Sequence, residues 1–334
     1  MPTWGGILRE LQQAQQAGQP APFDAVRRRY MVELHRHTGR AVILYATRFA
    51  SPGPIPPDLL SINDEDLQGL MEVMHGISTS ELDLIIHSPG GSLEAAEAVV
   101  TYLRSKFADM RAIVPSLALS AATMICCAAN RIVLGKHSFL GPIDPQFIVN
   151  TALGQRMVSA EAIIEQFETA QKECRDTAKL AAWLPMLSQY GPDLLVKCRH
   201  ACKMSKELVQ GWLGAYMFNN NKTAKRKAAK LATWLARHRH FKSHGRHIPR
   251  HELEAKGFVV DHLEADQRLQ DLVLSIFHAT NHTFAATGAV KIIENHAGHA
   301  FIKTMAMQMP VQMQIPVMQP RPPQPPSQPN PQQA

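Results

Sequence analysis

Segments with strand-like and helix-like patterns alternate along residues 82–135, and this alternation constrains the fold more than any other feature of the chain. The strand-like segments are short, apolar and rich in β-branched residues, and the segments between them have the apolar stripe or the small residues of helices. In chain order they read LDLIIH, SLEAAEAVVTYLRSKF, RAIVP, SAATMICCAAN and RIVLG. Strands that alternate with helices through short loops form parallel sheets, so the sequence predicts an α/β core.

The segments on either side of this core divide the chain into three predicted parts. Residues 1–40 have helix-like apolar spacing and form the predicted N-terminal helical segment. The strand-like run AVILYATRF then opens a main domain that we place at residues 41–304, with a mainly helical stretch from about 160 to 212. Residues 305–334 are rich in Pro, Gln and Met and cannot form a packed core, so they are predicted to be a disordered tail.

The pattern of cysteines and of apolar residues indicates in which cellular compartment the protein is expected. The five cysteines have no framework spacing, and Cys126 and Cys127 are adjacent within an apolar segment, which favours buried reduced thiols. The first residues lack the basic and apolar regions of a signal peptide. No run of about 18 apolar residues occurs, which is the length needed to span a bilayer. The sequence therefore predicts a cytoplasmic protein without a membrane span.

Positive charge is concentrated in one block, residues 222–247. The formal net charge is +7, and no Asp or Glu lies between Glu207 and Glu252. Such a block can neutralise phosphates, attract an acidic partner or form the solvated face of a helix. Only Trp234 and Phe241 offer the aromatic interleaving of a single-strand binder, so nucleic-acid binding is the less favoured use.

Two turns carry the residues best suited to chemistry. HSPGGS (87–92) follows a strand and opens a helix, and the backbone N–H groups of Gly90 and Gly91 can approach a ligand closely because glycine has no side chain. PSLALSAATM places Ser120 between a strand and a helix, where its own N–H or that of Ala121 can face a reacting carbonyl oxygen. Each turn alone also fits a structural role, as a tight turn and as an N-cap. Together, in this order, they favour a nucleophilic serine.

SPGG followed by LALSAATM resembles the Clp-protease superfamily, which includes signal peptide peptidase A-type enzymes. The chain resembles the serine dehydrogenase proteinase family more closely, through IIHSPGG, VPSLALSAATM, GKHSFLGPIDPQ and VKIIENHAGHAFIK, and the resemblance covers residues 2–303. It implies a Clp-protease/crotonase-like spiral of ββα units with a helical C-terminal part. It also implies Ser120 as nucleophile, an oxyanion hole from Gly90 or Gly91 with Ala121, and self-association into a homo-oligomer.

The residue that activates the serine is less constrained. Clp proteases have a histidine in an H-Q-P motif after the serine, whereas this chain reads I-D-P, with Asp144 at that point. The resemblance implies a triad of Ser120, Asp144 and a distant histidine, for which His244 is the prediction and His247 the competitor. A Ser–Lys dyad, as in signal peptide peptidase A-type enzymes, is the rival mechanism, with Lys172 as the base.

We therefore predict a serine endopeptidase that binds a peptide along the SPGG strand edge and needs no metal or cofactor. Three other classes remain open on sequence: a catalytically inactive scaffold on the same fold, a crotonase-like acyl-CoA enzyme, and a nucleic-acid-associated protein that uses the 222–247 block.

Overall fold

The structure is a computed structural model that describes residues 3–51, 53–151, 154–219 and 223–305. Lys222, at the start of the basic block, lies outside the described residues. The predicted tail at 305–334 also lies outside them, apart from Met305.

Strands and helices alternate through the first half of the chain. The strands are β1 Ala41–Thr47, β2 Glu81–His87, β3 Asp109–Val114, β4 Leu117–Ala118, β5 Arg131–Leu134, β6 Phe139–Leu140, β7 Gln146–Thr151, β8 Gly154–Ser159, β9 Ile248–Pro249, β10 Val260–His262, β11 Ala289–Asn295 and β12 Ala300–Thr304. The α-helices are α1 Trp4–Gln16, α2 Pro22–Thr38, α3 Pro57–Leu60, α4 Asp66–Met74, α5 Leu93–Lys106, α6 Ala121–Cys127, α7 Ala160–Glu173, α8 Thr177–Leu187, α9 Leu194–Trp212, α10 Ala224–Ala236, α11 His238–Phe241, α12 Arg250–Lys256 and α13 Gln267–Ala286. A π-helical turn at Leu213–Met217 extends α9, and a 3₁₀ turn at Leu263–Ala265 precedes α13.

A seven-stranded sheet in the order β10-β5-β3-β2-β1-β11-β12 forms the centre of the molecule. The strands from β10 to β1 are parallel to their neighbours, whereas β11 is antiparallel to both β1 and β12. Every residue of β1 and β11 is buried, as expected for strands covered on both faces. The predicted α/β fold is confirmed, and the antiparallel pair at one edge is an addition that the sequence does not predict.

Each face of the sheet packs against its own set of helices, because side chains alternate along a strand. Ile43 and Tyr45 point into a core that also includes residues of α4, α5, α6, α9 and α10. Val42 and Leu44 point the other way, into a core formed with α2 and α13. The predicted N-terminal helical segment appears as α1 and α2, which both contact α13.

A second, smaller sheet lies beyond the ends of β2 and β3. It consists of β4, β6 and β9, with β4 parallel to β6 and β6 antiparallel to β9. The sequence β3, β4, α6 forms one ββα unit of the kind that the resemblance implies. A parallel bridge between Ser88 and Ala118 joins the end of β2 to β4, so the two turns singled out in the sequence are adjacent in space.

The helix-rich stretch predicted from residue 160 to 212 is present as α7, α8 and α9. A two-stranded antiparallel hairpin of β7 and β8 precedes it, which the sequence analysis does not predict. Two apolar residues paired across this hairpin, Ile148 and Met157, are 65% and 68% exposed. Within the described ranges, no helix is long and apolar enough to cross a bilayer.

Candidate active site

Ser120 lies on a strained turn between β4 and α6. Its φ and ψ are 52° and −121°, a conformation that non-glycine residues rarely adopt and that costs of order 1–3 kcal/mol. Ser120 is the residue that caps α6, yet its side chain makes no capping hydrogen bond. The hydroxyl is therefore not engaged in the structural role that the position alone would suggest. Strain of this kind persists where the surrounding structure enforces it, and functional sites are common places for it.

The segment around Ser120 is held by buried hydrogen bonds. The Thr123 hydroxyl donates to the Ala118 carbonyl at 2.7 Å and accepts from the Gly141 N–H at 3.0 Å. The Leu119 N–H donates to the Ser88 carbonyl at 3.0 Å. These bonds join the serine turn to the SPGG turn on one side and to the LGPIDP loop on the other.

The SPGG turn packs directly against the serine. Gly90 has a φ of +97°, and a Cβ added to it would lie 2.6 Å from the Leu119 carbonyl oxygen and 2.7 Å from the Ser120 Cβ. A Cβ on Gly91 would lie 2.3 Å from the backbone of Ile62. Both positions therefore require glycine, because the backbones approach more closely than any side chain would permit.

Two backbone N–H groups beside Ser120 have no hydrogen-bond partner in the described part of the chain. Among the described residues, no acceptor lies within hydrogen-bond reach of the N–H of Gly91 or of Ala121. The N–H of Gly90, by contrast, donates to the Ser88 hydroxyl at 3.2 Å. Gly91 and Ala121 thus have donors available for an oxygen in the cleft, whereas the Gly90 donor is occupied.

Asp144, in the loop between β6 and β7, is a buried carboxylate that accepts from two histidines. Its Oδ1 lies 2.8 Å from Nδ1 of His244, and its Oδ2 lies 2.8 Å from Nδ1 of His238. Gln146 donates to Oδ2 at 2.9 Å. Because an ionised carboxylate only accepts hydrogen bonds, each histidine carries a proton on Nδ1, and in the neutral ring Nε2 is then the nitrogen that can act as a base.

The environment of Asp144 favours its ionised form. The side chain is 1% exposed, and burial alone would raise the pKa of the carboxyl group. The hydrogen bonds and charges of His244 and His238 act in the opposite direction and lower the pKa of Asp144 below its ordinary value. The carboxylate can therefore stabilise a positive charge on an adjacent imidazole.

A cleft of about 680 Å³ brings Ser120 and His244 to one surface. Gly90, Gly91 and Ala121 line the same cleft. Its remaining walls are largely apolar, and the side chains that form them include Phe49, Ile55, Leu60, Leu93, Met124, Ile143, Phe147, Ile148 and Met157. The catalytic candidates therefore meet in a groove suited to a ligand with apolar groups.

The other candidate bases lie elsewhere. Lys172 is exposed near the end of α7, and His247 is exposed with its ring stacked on Phe139 at 5.3 Å. Of the described residues that line the cleft, none is Lys172, His247 or His238. The geometry thus favours His244 as the partner of Ser120 and gives no support to the Ser–Lys alternative.

His238 is the site residue that sequence reasoning missed. It begins α11 and contacts Oδ2 of Asp144, and it is not among the described residues that line the cleft. The sequence offers only a weak signal for it, because ARHRHFKSHG contains three histidines of similar surroundings. No group of three or more His, Cys, Asp or Glu residues suited to a metal ion is present in the parts of the chain that the structure describes.

Comparison with known proteins gives one family match. Residues 23–180 match the model of a family described as ClpP-like SDH-type serine proteinase. The matched stretch contains Gly90, Gly91, Ser120 and Asp144 and ends before the histidines that contact Asp144.

Two uncharacterized proteins of Methanocaldococcus jannaschii are similar over shorter stretches. One is 37% identical over 86 residues, which is 25% of this chain and 30% of that protein. The other is 40% identical over 65 residues, which is 20% of this chain and 22% of that protein. The matched stretches thus span less than a third of the length of these curated relatives.

Proposed function

We propose that the chain is a serine endopeptidase with Ser120 as nucleophile, and the match of residues 23–180 to the family described as ClpP-like SDH-type serine proteinase supports this proposal. One observation carries the proposal. Ser120, on a strained turn with an uncommitted hydroxyl, shares a cleft with His244, whose ring is bonded to the buried Asp144 at 2.8 Å.

In the proposed reaction, His244 is the general base and then the general acid. Its Nε2 takes the proton from the Ser120 hydroxyl while Oγ attacks the carbonyl carbon of the scissile peptide bond. The resulting imidazolium is stabilised by the Asp144 carboxylate. His244 then gives the proton to the leaving amine, the C–N bond breaks, and an acyl-enzyme ester forms at Ser120. Water, activated by the same imidazole, hydrolyses that ester and releases the acid product.

The tetrahedral intermediate requires donors for its negatively charged oxygen. The unpaired N–H groups of Gly91 and Ala121 are the donors that we assign to it. Loss of one such donor typically lowers kcat about 100- to 1000-fold in serine peptidases. The rigid packing of Gly90 against Ser120 keeps these donors in place before the substrate arrives.

The substrate in this proposal is an extended peptide that lies along the SPGG turn. The apolar walls of the cleft, including Phe49, Met124 and Phe147, favour apolar side chains next to the scissile bond. The proposal also includes a cytoplasmic location and self-association. All five cysteines are free, which is consistent with a reducing compartment.

The direct test is hydrolysis of a diverse peptide mixture, read by mass spectrometry. We expect Ser120→Ala to abolish the cleavages made by the native protein, because the substitution removes the oxygen that attacks the peptide bond. Lys172→Ala is the matched control and should retain them, since Lys172 is exposed and outside the cleft. Cleavage that persists in Ser120→Ala would contradict the proposal. Binding of peptides without cleavage by the native protein would favour the scaffold alternative.

A further inference from the structure

The second histidine on Asp144 has no part in the reaction described above. His238 donates from Nδ1 to Oδ2 of Asp144 at 2.8 Å, while His244 donates to Oδ1 at the same distance. The two rings belong to one short segment of the chain. The backbone turns back after α11, which allows both rings to reach the same carboxylate. Lys242 N–H bonds to the His238 carbonyl at 2.7 Å, and Lys242 has a φ of 64°.

His238 is held in place from both sides. Next to it, Arg239 forms an ion pair with Glu165 of α7 at 2.8 Å, and its N–H points to Glu161 at 3.4 Å. Two residues further on, Phe241 is buried in the main core. The start of α11 is therefore anchored between α7 and the core, and the His238 ring is fixed relative to the Asp144 loop.

A carboxylate bound at one oxygen alone can rotate about its terminal torsion, which is broad and roughly two-fold. Here Oδ2 is fixed by His238 and Gln146, which leaves Oδ1 directed at His244. A buried carboxylate that loses a donor is left partly unsatisfied, and such losses cost more than the bond itself contributes. The direction of the Asp144–His244 bond therefore depends on the donors to the other oxygen.

We propose that His238 is a positioning residue, which orients the Asp144 carboxylate so that His244 keeps its proton on Nδ1 and presents Nε2 to Ser120. The proposal rests on the proposed peptidase function for its consequence in catalysis, but the effect on the His244 ring exists whether or not the protein cleaves peptides. His238 itself lies outside the cleft lining and does not touch substrate.

Three substitutions separate positioning from general packing. His238→Phe keeps a ring and removes the donor. His238→Asn places a side-chain N–H close to where Nδ1–H is in the native protein. His240→Phe changes a histidine on the same short helix whose nearest acidic partner is Glu252 at 3.9 Å rather than Asp144.

The first readout is the rate of reaction with a fluorophosphonate probe, together with kcat and KM for a cleaved peptide. We expect His238→Phe to lower the labelling rate and kcat roughly 10- to 100-fold with KM little changed, as for loss of one hydrogen bond to a charged group. His238→Asn should recover most of that loss, and His240→Phe should react at the native rate. A purely structural ring would give the opposite order, with Phe better tolerated than Asn.

The second readout does not need activity. Imidazole ¹⁵N chemical shifts of histidine-labelled protein, with His244 assigned through His244→Asn, report which ring nitrogen is protonated. We expect the Nδ1–H tautomer of His244 in the native protein and in His238→Asn, and a mixture of tautomers in His238→Phe.

The outcomes are distinguishable. A His244 tautomer and a labelling rate unaffected by His238→Phe would overturn the positioning role. If the native protein does not react with the probe but the tautomer still depends on His238, the peptidase proposal fails while the positioning role stands. If neither reaction nor dependence is seen, both fail.

Discussion

At the scale of single residues, the site depends on glycines that permit close approach. Gly90→Ala would place a methyl group within 2.6–2.8 Å of Leu119, Ser120 and Ala121, at a φ of +97°. We expect this variant to lose at least 100-fold in kcat/KM and to be destabilised by about 2–3 kcal/mol, since backbone strain and a steric clash add. Activity assays and urea unfolding measure the two effects.

Gly298→Ala is the matched control for that variant. Gly298 has a φ of +94°, nearly that of Gly90, but apart from its chain neighbours no described residue lies within 4 Å of an added Cβ. Gly298→Ala should lower the free energy of unfolding only by the backbone strain, about 1 kcal/mol, and leave kcat/KM unchanged. If Gly90→Ala and Gly298→Ala lowered kcat/KM and the free energy of unfolding equally, the packing of Gly90 against Ser120 would contribute to neither activity nor stability.

His87, the last residue of β2, makes the protein sensitive to acid. It is 2% exposed between the rings of Phe49 and Phe277, and burial lowers its pKa from 6.5 to about 4. The unfolded chain therefore binds a proton at a higher pH than the folded chain does. The contribution of neutral His87 to the free energy of unfolding is therefore fully present above pH 6.5, and it is lost as the pH falls from 6.5 toward 4.

This difference in pKa corresponds to about 3 kcal/mol across that range. His87→Asn keeps an acceptor for the Leu117 N–H but does not titrate, so its loss of stability between pH 7 and pH 4 should be about 3 kcal/mol smaller than that of the native protein. Urea unfolding at both pH values measures the difference. An identical pH dependence in the two proteins would contradict this account of His87.

At the scale of elements, a buried ion pair ties the sheet to the SPGG turn. Lys291 of β11 and Asp66 of α4 are both fully buried, with Nζ 2.7 Å from Oδ1, and Lys291 also donates to the Ser61 carbonyl at 2.7 Å. The next residue, Ile62, bonds to Gly90 and Ser92 on either side of Gly91, at 2.8 and 2.9 Å. Through Ser61 and Ile62, the antiparallel strand β11 thus helps to hold Gly91, whose N–H is a proposed oxyanion donor.

We expect Lys291→Met to destabilise the protein by about 3–5 kcal/mol, because the buried Asp66 would lose the cation at 2.7 Å and keep only Lys303, at 3.9 Å. Lys197→Met is the control, since Lys197 pairs with Asp193 on the surface and should cost less than about 0.5 kcal/mol. Thermal and urea unfolding measure both. A loss below 1 kcal/mol in Lys291→Met would contradict the role assigned to the pair.

The sequence predicts elements better than it predicts contacts between them. Strands and helices from residue 82 to 135 follow local hydrophobic patterns, so their order and the serine at the start of α6 could be predicted. The positive φ of Ser120 could not, because no local pattern specifies it and the turn packs against the SPGG segment about 30 residues earlier in the chain. The hairpin of β7 and β8 was missed because its residues are largely exposed and carry no buried-strand pattern.

The contacts of Asp144 depend on chain segments almost 100 residues apart. His238 and His244 lie 94 and 100 residues after Asp144. No local pattern shows which histidine arrives there, and the resemblance points to a histidine without requiring a second one. The roles of Ser120, Asp144 and His244 in catalysis remain predictions, although the structure places these residues in one neighbourhood.

At the scale of the whole molecule, the N-terminal helices complete the core on one face of the sheet. Arg27 and Arg28 of α2 both bind Glu294 of β11, whose side chain is fully buried, and Met31 and Leu34 lie in the core with α13. A chain that begins at Gly39 would expose this apolar face and leave Glu294 without a partner.

We therefore expect removal of residues 1–38 to prevent cooperative folding, which thermal unfolding followed by circular dichroism measures. Arg28→Gln, which removes only the more exposed of the two cations, should retain a cooperative transition. A truncated chain with a sharp transition would instead show that residues 1–40 are an independent appendage.

Covalent labelling of the native protein tests the central claim most directly. The account predicts that a fluorophosphonate adds to the chain once, and that peptide mapping by mass spectrometry finds the adduct on Ser120. An adduct on another residue, or no adduct at a probe concentration that labels a known serine peptidase in parallel, would contradict the claim that Ser120 is an activated nucleophile.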